Sequence, residues 1–187
     1  MSNKKISELN ATNAPADADV FPIVQGGETK KVSFADIKAN IPSGGGGDFI
    51  GCRVIHSGDV SVANNSFVTI AFTIEEFDTD NMHDNSTDNT HITFTTAGYY
   101  SFGYGFQGAS SEVGNMGAII KNQSGVVLAS TRIHVVSDGV CEGQVTGISY
   151  FYAGDYIVAC ALQQTGATQT YYTNTSYSNR FWAYKIG

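Results

Sequence analysis

Hydrophobic and polar positions follow different rhythms on the two sides of a glycine run at residues 44–47. After the run the rhythm has period two. Tyr100, Phe102, Tyr104 and Phe106 alternate with Ser101, Gly103 and Gly105, which is one apolar face of a strand. The same reading predicts strands at 50–56, 66–74, 90–96, 98–107, 115–121, 125–133, 144–152, 155–162 and 180–186, separated by Gly- and Asn-rich turns. The GYY at 98–100 and the AGDY at 153–156 each set a glycine turn before an aromatic strand. No helical period of any length appears in this part. Short strands at such regular spacing predict an all-β sandwich or jelly roll.

The first 41 residues read differently. Residues 20–25 (VFPIVQ) predict a short strand, Gly26 and Gly27 a turn, and 29–33 (TKKVS) a return strand. Pro22 confines the first strand to an edge. Ser33 with Asp36 three residues later caps a short helix, about 34–40, ending at Ile41-Pro42. The apolar side chains available are Val20, Phe21, Ile23, Val24, Val32, Phe34 and Ile37. One hairpin and a short helix cannot build an independent core. The segment must pack on its own copies in an oligomer or on a larger partner, which is the behaviour of an attachment module. Residues 42–48 (PSGGGGD) read as a flexible joint. The organisation is therefore an anchor at 1–41, a linker at 42–48 and a globular part at 49–187.

Composition narrows the function. Of the 187 residues 42% are apolar, 12% aromatic and only 14% charged, against a usual charged share of about 25%. That argues against disorder. The net charge is −7 and no basic stripe is visible, which excludes a generic nucleic-acid binder and disfavours an anionic membrane surface. No run of about 20 apolar residues predicts a membrane span. The start, MSNKKISELN, has no apolar h-region, so no signal peptide is expected. Cys52, Cys141 and Cys160 are odd in number and widely spaced. Buried free thiols are the expectation over a disulfide plus one spare thiol, as for a protein made in a reducing cytoplasm.

Candidate chemistry is sparse. Residues 75–88 (EEFDTDNMHDNSTD) hold six acids and no Lys or Arg. The spacing fails the EF-hand test: from Asp78 the fifth position is Met82, the sixth His83 and the twelfth Asn89. A solvated, turn-forming loop is the plainer reading, with a calcium site shared between subunits as the alternative. His83 and His91 flank this loop and could join such a site, although no histidine lies in an HExxH or HxH arrangement. Glu75 and Glu76 are adjacent, so on a strand they face opposite ways and cannot form an acid/base pair. No nucleophile elbow, phosphate loop or dinucleotide fingerprint is present, and no enzyme is predicted. Segment 163–179 is uncharged and rich in Thr, Gln, Asn and Tyr. Its Tyr171, Tyr172 and Tyr177 suit an exposed recognition loop, or equally an edge strand or subunit interface.

Four segments in order carry a resemblance: EFDTDNMHD at 76–84, THITFTTAGYYSF at 90–102, YFYAGDYIV at 150–158 and FWAYKIG at 181–187. Together they resemble the globular head of complement subcomponent q and its relatives in the tumour necrosis factor superfamily. The variant found in bacteriophage and bacterial proteins is the most similar. That family often has Gly where this chain has Asn81, and Asn also tolerates a left-handed φ. The resemblance implies a ten-stranded jelly roll that forms a compact homotrimer. It places Tyr100, Phe102, Tyr104, Phe106, Phe181, Trp182 and Tyr184 in the core or at the trimer interface, without deciding the side each takes. Some relatives hold calcium through aspartates near the axis, which implies Asp78, Asp80 and Asp84 as candidate ligands. No other cofactor is implied.

Residues 4–41, KISELNATNAPADADVFPIVQGGETKKVSFADIKANI, are similar to a segment of phage virion proteins, especially tail fibres and related appendages. This implies an attachment or trimerisation module. Both halves lead to the expectation of a phage virion protein: a homotrimeric head fibre or decoration spike. Residues 4–41 would dock on other virion proteins, and loops 78–89 and 163–179 would face outward toward a host-surface glycan or protein. The short glycine joint favours the capsid over the tail. A short tail fibre or receptor-binding protein is the main alternative. A bacterial surface adhesin is disfavoured by the missing signal peptide, and a glycan depolymerase by the missing carboxylate pair.

Overall fold

Two glycines in left-handed conformation fold the first part of the chain back on itself. Gly26 (φ +64°) and Gly27 (φ +82°) link β1, Val20–Gln25, to β2, Glu28–Ser33. Positive φ at both loop positions is what a two-residue hairpin needs to match the strand twist. The computed structural model describes residues 16, 18–40, 49–56, 58–136, 138–172 and 179–186; residues 4–15, which open the segment similar to virion proteins, and the glycine run lie outside them. The chain divides into two units, Met1–Gly47 and Asp48–Gly187.

In the first unit the closing pair is Gln25 opposite Glu28, and Pro22 lies opposite Lys31. Alternation from the closing pair turns the Pro22 nitrogen away from β2, where a missing N–H costs no ladder bond. Helix α1, Phe34–Asn40, follows at once. Ser33 caps it: its Oγ accepts from the Asp36 N–H at 3.0 Å and donates to Asp36 Oδ2 at 2.5 Å. The rings of Phe21 and Phe34 lie 6.1 Å apart. None of the described side chains in this unit is buried: Val20 and Val24 are 56% and 76% exposed, and Val32, Phe34 and Ile37 are half-buried.

The second unit is all β. Its strands are β3 Gly51–Ile55, β4 Val60–Val62, β5 Ser66–Thr69, β6 Ile74–Asp78, β7 His91–Thr93, β8 Gly98–Ser110 and β9 Gly114–Asn122. There follow β10 Val127–Val135, β11 Gly139–Phe151, β12 Tyr156–Gln164, β13 Gln169–Tyr171 and β14 Arg180–Lys185. They form two antiparallel sheets. In one, β10, β9 and β12 run in order, and β5 and β7 both pair with β12. In the other, β11 pairs with β8 along all thirteen residues. The far edge of β8 carries β14, followed by β3 and β6, along residues 100–104, and β13, followed by β4, along residues 108–109. Neighbours distant in sequence, shared between two packed sheets, make this a jelly-roll sandwich.

The core lies between the sheets. Tyr100, Phe102, Tyr104 and Phe106 of β8 point into it, and each is at most 1% exposed. Glycines on β11 make room for them. A Cβ on Gly147 would come within 2.6 Å of the Phe102 ring, and one on Gly143 within 2.7 Å of the Phe106 ring. All three cysteines are buried and free. Burial, with Asp78 and Glu75 nearby, pushes the Cys52 thiol far above its ordinary range.

The observed strands depart from the expected ones in several places. Segment 66–74 does not run through. After β5 the chain crosses between sheets: Ile70 N–H donates to Ala159, then Thr73 N–H donates to Ile55. Ile70 and Phe72, fully buried, fill the crossing. Strand 144–152 starts earlier, at Gly139, where the β10–β11 turn closes on Val136, because Gly143 makes room for Phe106 and Ile133 within the strand instead of forming a turn. Residues 75–78, read as part of the acidic loop, belong to β6, and Val60–Val62, outside the expected strands, form β4; the edge-strand reading of segment 163–179 is met at 169–171 by β13.

Candidate functional site

The outward face of the β11–β8–β14–β3–β6 sheet carries the densest chemistry on the head. Side chains on a strand alternate between faces. With Phe181 and Ala183 of β14 in the core, Arg180, Trp182 and Tyr184 must face outward. Cross-strand register places Trp182 opposite Gly103 on one side and Arg53 on the other, and Arg53 opposite Phe77 of β6. Thr146 of β11 completes the row beside Gly103. The aromatic rings of this face touch one another. Trp182 stacks on Tyr184 at 4.8 Å and 15°, Tyr184 on Phe77 at 6.0 Å and 18°, and Phe49 lies 5.7 Å from Tyr184. The Arg53 guanidinium sits 5.2 Å above the Phe77 ring.

Two of the three arginines in the chain, Arg53 and Arg180, converge on one carboxylate. Arg180 Nε and Nη2 donate to Glu76 Oε2 and Oε1 at 3.0 and 3.1 Å, a bidentate fork. Arg53 Nε forms a second ion pair with Oε2. Partial burial of Glu76 raises its carboxyl. The hydrogen bond and charge of Arg180, then the charge of Arg53, outweigh that and hold it below the usual carboxylate range. Beside this network lies a depression of about 370 Å³, lined by Arg53, Arg180, Glu142, Gln144, Trp182 and Tyr184, with Gly105 and Gly143 contributing only backbone. Glu142 and Gln144 come from β11, the strand at the sheet edge. Further along the face Tyr99, Ile148 and Tyr150 stand exposed, the two tyrosine rings 5.3 Å apart.

The sequence-derived residues sort as follows. Tyr100, Phe102, Tyr104, Phe106 and Phe181 lie in the core; Trp182 and Tyr184 lie on the outward face. The Asp78, Asp80 and Asp84 set is not brought together. Asp78 accepts the Asp80 and His83 N–H groups at 3.1 and 2.8 Å. Asp80 accepts the Thr95 and Thr96 hydroxyls. Asp84 accepts the Ser86 and Thr87 N–H and hydroxyl groups within its own turn. Those bonds, the Thr87 hydroxyl first, hold its carboxyl far below the usual range. Among the described residues no three acidic, His or Cys side chains converge in a way that could hold a metal ion. His83 is occupied too, its ring nitrogens lying 2.6 and 3.0 Å from the His91 and Phe72 carbonyl oxygens.

The recognition-loop reading of Tyr171 is corrected. It is fully buried, its hydroxyl accepting from the Gly117 N–H at 2.9 Å and facing the Gly117 and Leu162 carbonyls. Tyr172 is half-buried, and Tyr177 lies outside the described residues. Sequence reading missed Arg53, Glu142 and Arg180, and took Glu76 only as half of a rejected acid/base pair. The available signal was the scarcity of arginine: two of three flank apolar strand residues.

No protein-family model matches the sequence, and no curated protein sequence matches it. Solved structures do match. Murine APRIL at pH 5.0 superposes with a TM-score of 0.59 at 11% identity, over 74% of this chain and 99% of that one. The globular domain of zebrafish complement 1qA gives 0.51 at 12% identity, over 75% and 98%. Eiger TNF from S. frugiperda gives 0.50 at 9% identity, over 74% and 93%. The second unit therefore has the jelly-roll fold of complement-1q and tumour-necrosis-factor globular domains.

Proposed function

We propose that this chain is a bacteriophage virion protein, a homotrimeric head fibre or decoration spike. Its N-terminal unit docks on another virion protein, and its jelly-roll head is displayed for contact with a host-surface glycan or protein. One observation carries the reading: no described side chain of the N-terminal unit is buried, although Val20, Phe21, Ile23 and Val24 are large and apolar. Such a unit needs a surface from elsewhere, whereas the head has a complete core of its own. The likeness of residues 4–41 to virion attachment segments supports a phage particle as the source of that surface.

The homotrimer is supported by the outward face just described. Tyr99, Ile148 and Tyr150 are 55%, 68% and 44% exposed on one sheet face, beside the Trp182–Tyr184–Phe77 stack. That is the composition of an interface core. The action is binding rather than catalysis. Three weak sites per trimer, repeated over a particle, give avidity without any strong single contact.

Electron microscopy of virions labelled with antibody to residues 49–187 tests the reading. Label spread over the capsid is expected. Label confined to the tail tip makes the protein a short tail fibre, and unlabelled particles overturn a virion role.

A further inference from the structure

Resting on the homotrimer reading, we infer that the arginine pair is completed across the subunit boundary: Glu142 of the partner subunit enters the depression and pairs with Arg53 and Arg180. Within one chain the charges on this face are matched unevenly. On the β3–β14 wall two guanidinium groups share one carboxylate, Glu76, and the Arg180 fork already uses both of its oxygens. That wall carries one positive charge beyond its carboxylate. The β11 wall carries the reverse. Glu142 is exposed, accepts from Gln107 Nε2 at 2.5 Å, and joins no cation in an ion pair among the described residues.

The two walls border one depression from opposite sides, and a closed ring of identical subunits sets one side of a face against the other side of its neighbour's, so the β11 wall of one subunit is complementary to the β3–β14 wall of the next. The negative wall is on β11, whose pairing in this sheet is with β8 alone, so it is the rim that a neighbour meets. The depression of about 370 Å³ beside the arginines has backbone at Gly105 and Gly143, leaving room for a carboxylate side chain. A guanidinium–carboxylate contact held there would fix the rotation of one subunit against the next, which stacked aromatic rings alone would not do.

Sedimentation of the full chain over a concentration series tests this, using wild type, Glu142→Gln, Arg53→Gln and the double variant. The expected result is a trimeric wild type, with trimer dissociation raised roughly tenfold or more in each single variant. The double variant should be no weaker than the weaker single, the signature of a shared contact. Glu142→Arg should disrupt assembly, and adding Arg53→Glu should restore it in part. A trimeric wild type with unchanged Glu142→Gln dissociation, or with additive losses, overturns the inference and leaves the homotrimer standing. Coupling of the same size in the thermal unfolding of dilute monomer also overturns it, because the pair then forms within one chain. A wild type that stays monomeric at every concentration overturns the homotrimer reading itself.

Discussion

The indole of Trp182 lies against the bare backbone of Gly103. A Cβ at residue 103 would come within 2.5 Å of Cζ2 and 2.8 Å of Cε2, and within 2.9 Å of the Val145 carbonyl oxygen. The φ at Gly103 is ordinary, so the requirement for glycine here is purely steric. Gly103→Ala must displace the indole, which Tyr184 holds from the other side at 4.8 Å. The expected cost is about 1–3 kcal/mol in denaturant unfolding, with weaker self-association. Gly58→Ala, where nothing lies within 4 Å, is the control and should stay within about 0.5 kcal/mol of wild type.

Two buried tyrosines make opposite predictions. Tyr104 Oη is buried and finds no hydrogen-bond partner among the described residues, and burial drives its hydroxyl far above the ordinary range. Tyr171 Oη is bound by the Gly117 N–H and faces two carbonyls. Tyr104→Phe removes an unpaired polar group and should leave stability unchanged or raise it. Tyr171→Phe strands the Gly117 N–H and should cost about 1–3 kcal/mol. Parallel urea titrations at one pH compare them, and equal losses would contradict the bonding described.

Much of this was legible in the sequence, for identifiable reasons. Period-two aromatics on β8 and the Gly26-Gly27 hairpin are local signals, and both formed as read. The side taken by Trp182 was also within reach. Phe181 and Trp182 are adjacent on a strand and cannot share a face, so burying one exposes the other. The Arg53–Glu76–Arg180 network was not legible. Its members meet only because β3 lies between β14 and β6, a pairing set by the whole topology. The acidic loop misled because Asp serves turns as readily as metals: Asp84 spends both oxygens on Ser86 and Thr87.

Acidification should act through Glu76. Its folded carboxyl titrates below the ordinary glutamate value of about 4.3, so the network contributes stability above that pH and loses it as pH falls through the depressed value. Glu76→Gln should therefore be less stable than wild type near neutrality and converge with it in acid. The side chains are 23–37% exposed, so the gap should be on the order of 1 kcal/mol. Asp84 is also held far below the usual carboxylate range, by the Thr87 and Ser86 hydrogen bonds, so Asp84→Asn is the companion variant. A neutral-pH gap that persists unchanged in acid would show that Glu76 acts by shape rather than charge.

Asn81 has φ +50°, in the left-handed region. A side chain lacking a short polar group is strained there by about 1–2 kcal/mol, whereas glycine is not. Asn81→Ala should lower the melting temperature measurably, and Asn81→Gly should leave it close to wild type. The residue is exposed, so lost packing cannot produce the same difference.

The sharpest consequence of the two-unit organisation concerns truncation. Residues 48–187 contain two complete sheets and a continuous apolar core from Cys52 to Ala183. The described part of residues 1–47 contains a hairpin, a short helix and no buried side chain. The head expressed alone should therefore unfold cooperatively at nearly the same temperature as the full chain. Residues 1–47 alone should show no cooperative transition, because a two-stranded hairpin is marginal in water without a covering surface. Adding the isolated N-terminal unit to particles lacking the protein should restore order to it, read as protection of the β1–β2 amides from exchange. Cooperative unfolding of the isolated N-terminal unit would mean that it covers Val20, Phe21, Ile23 and Val24 by self-association, and would transfer the origin of trimerisation from the head to the anchor.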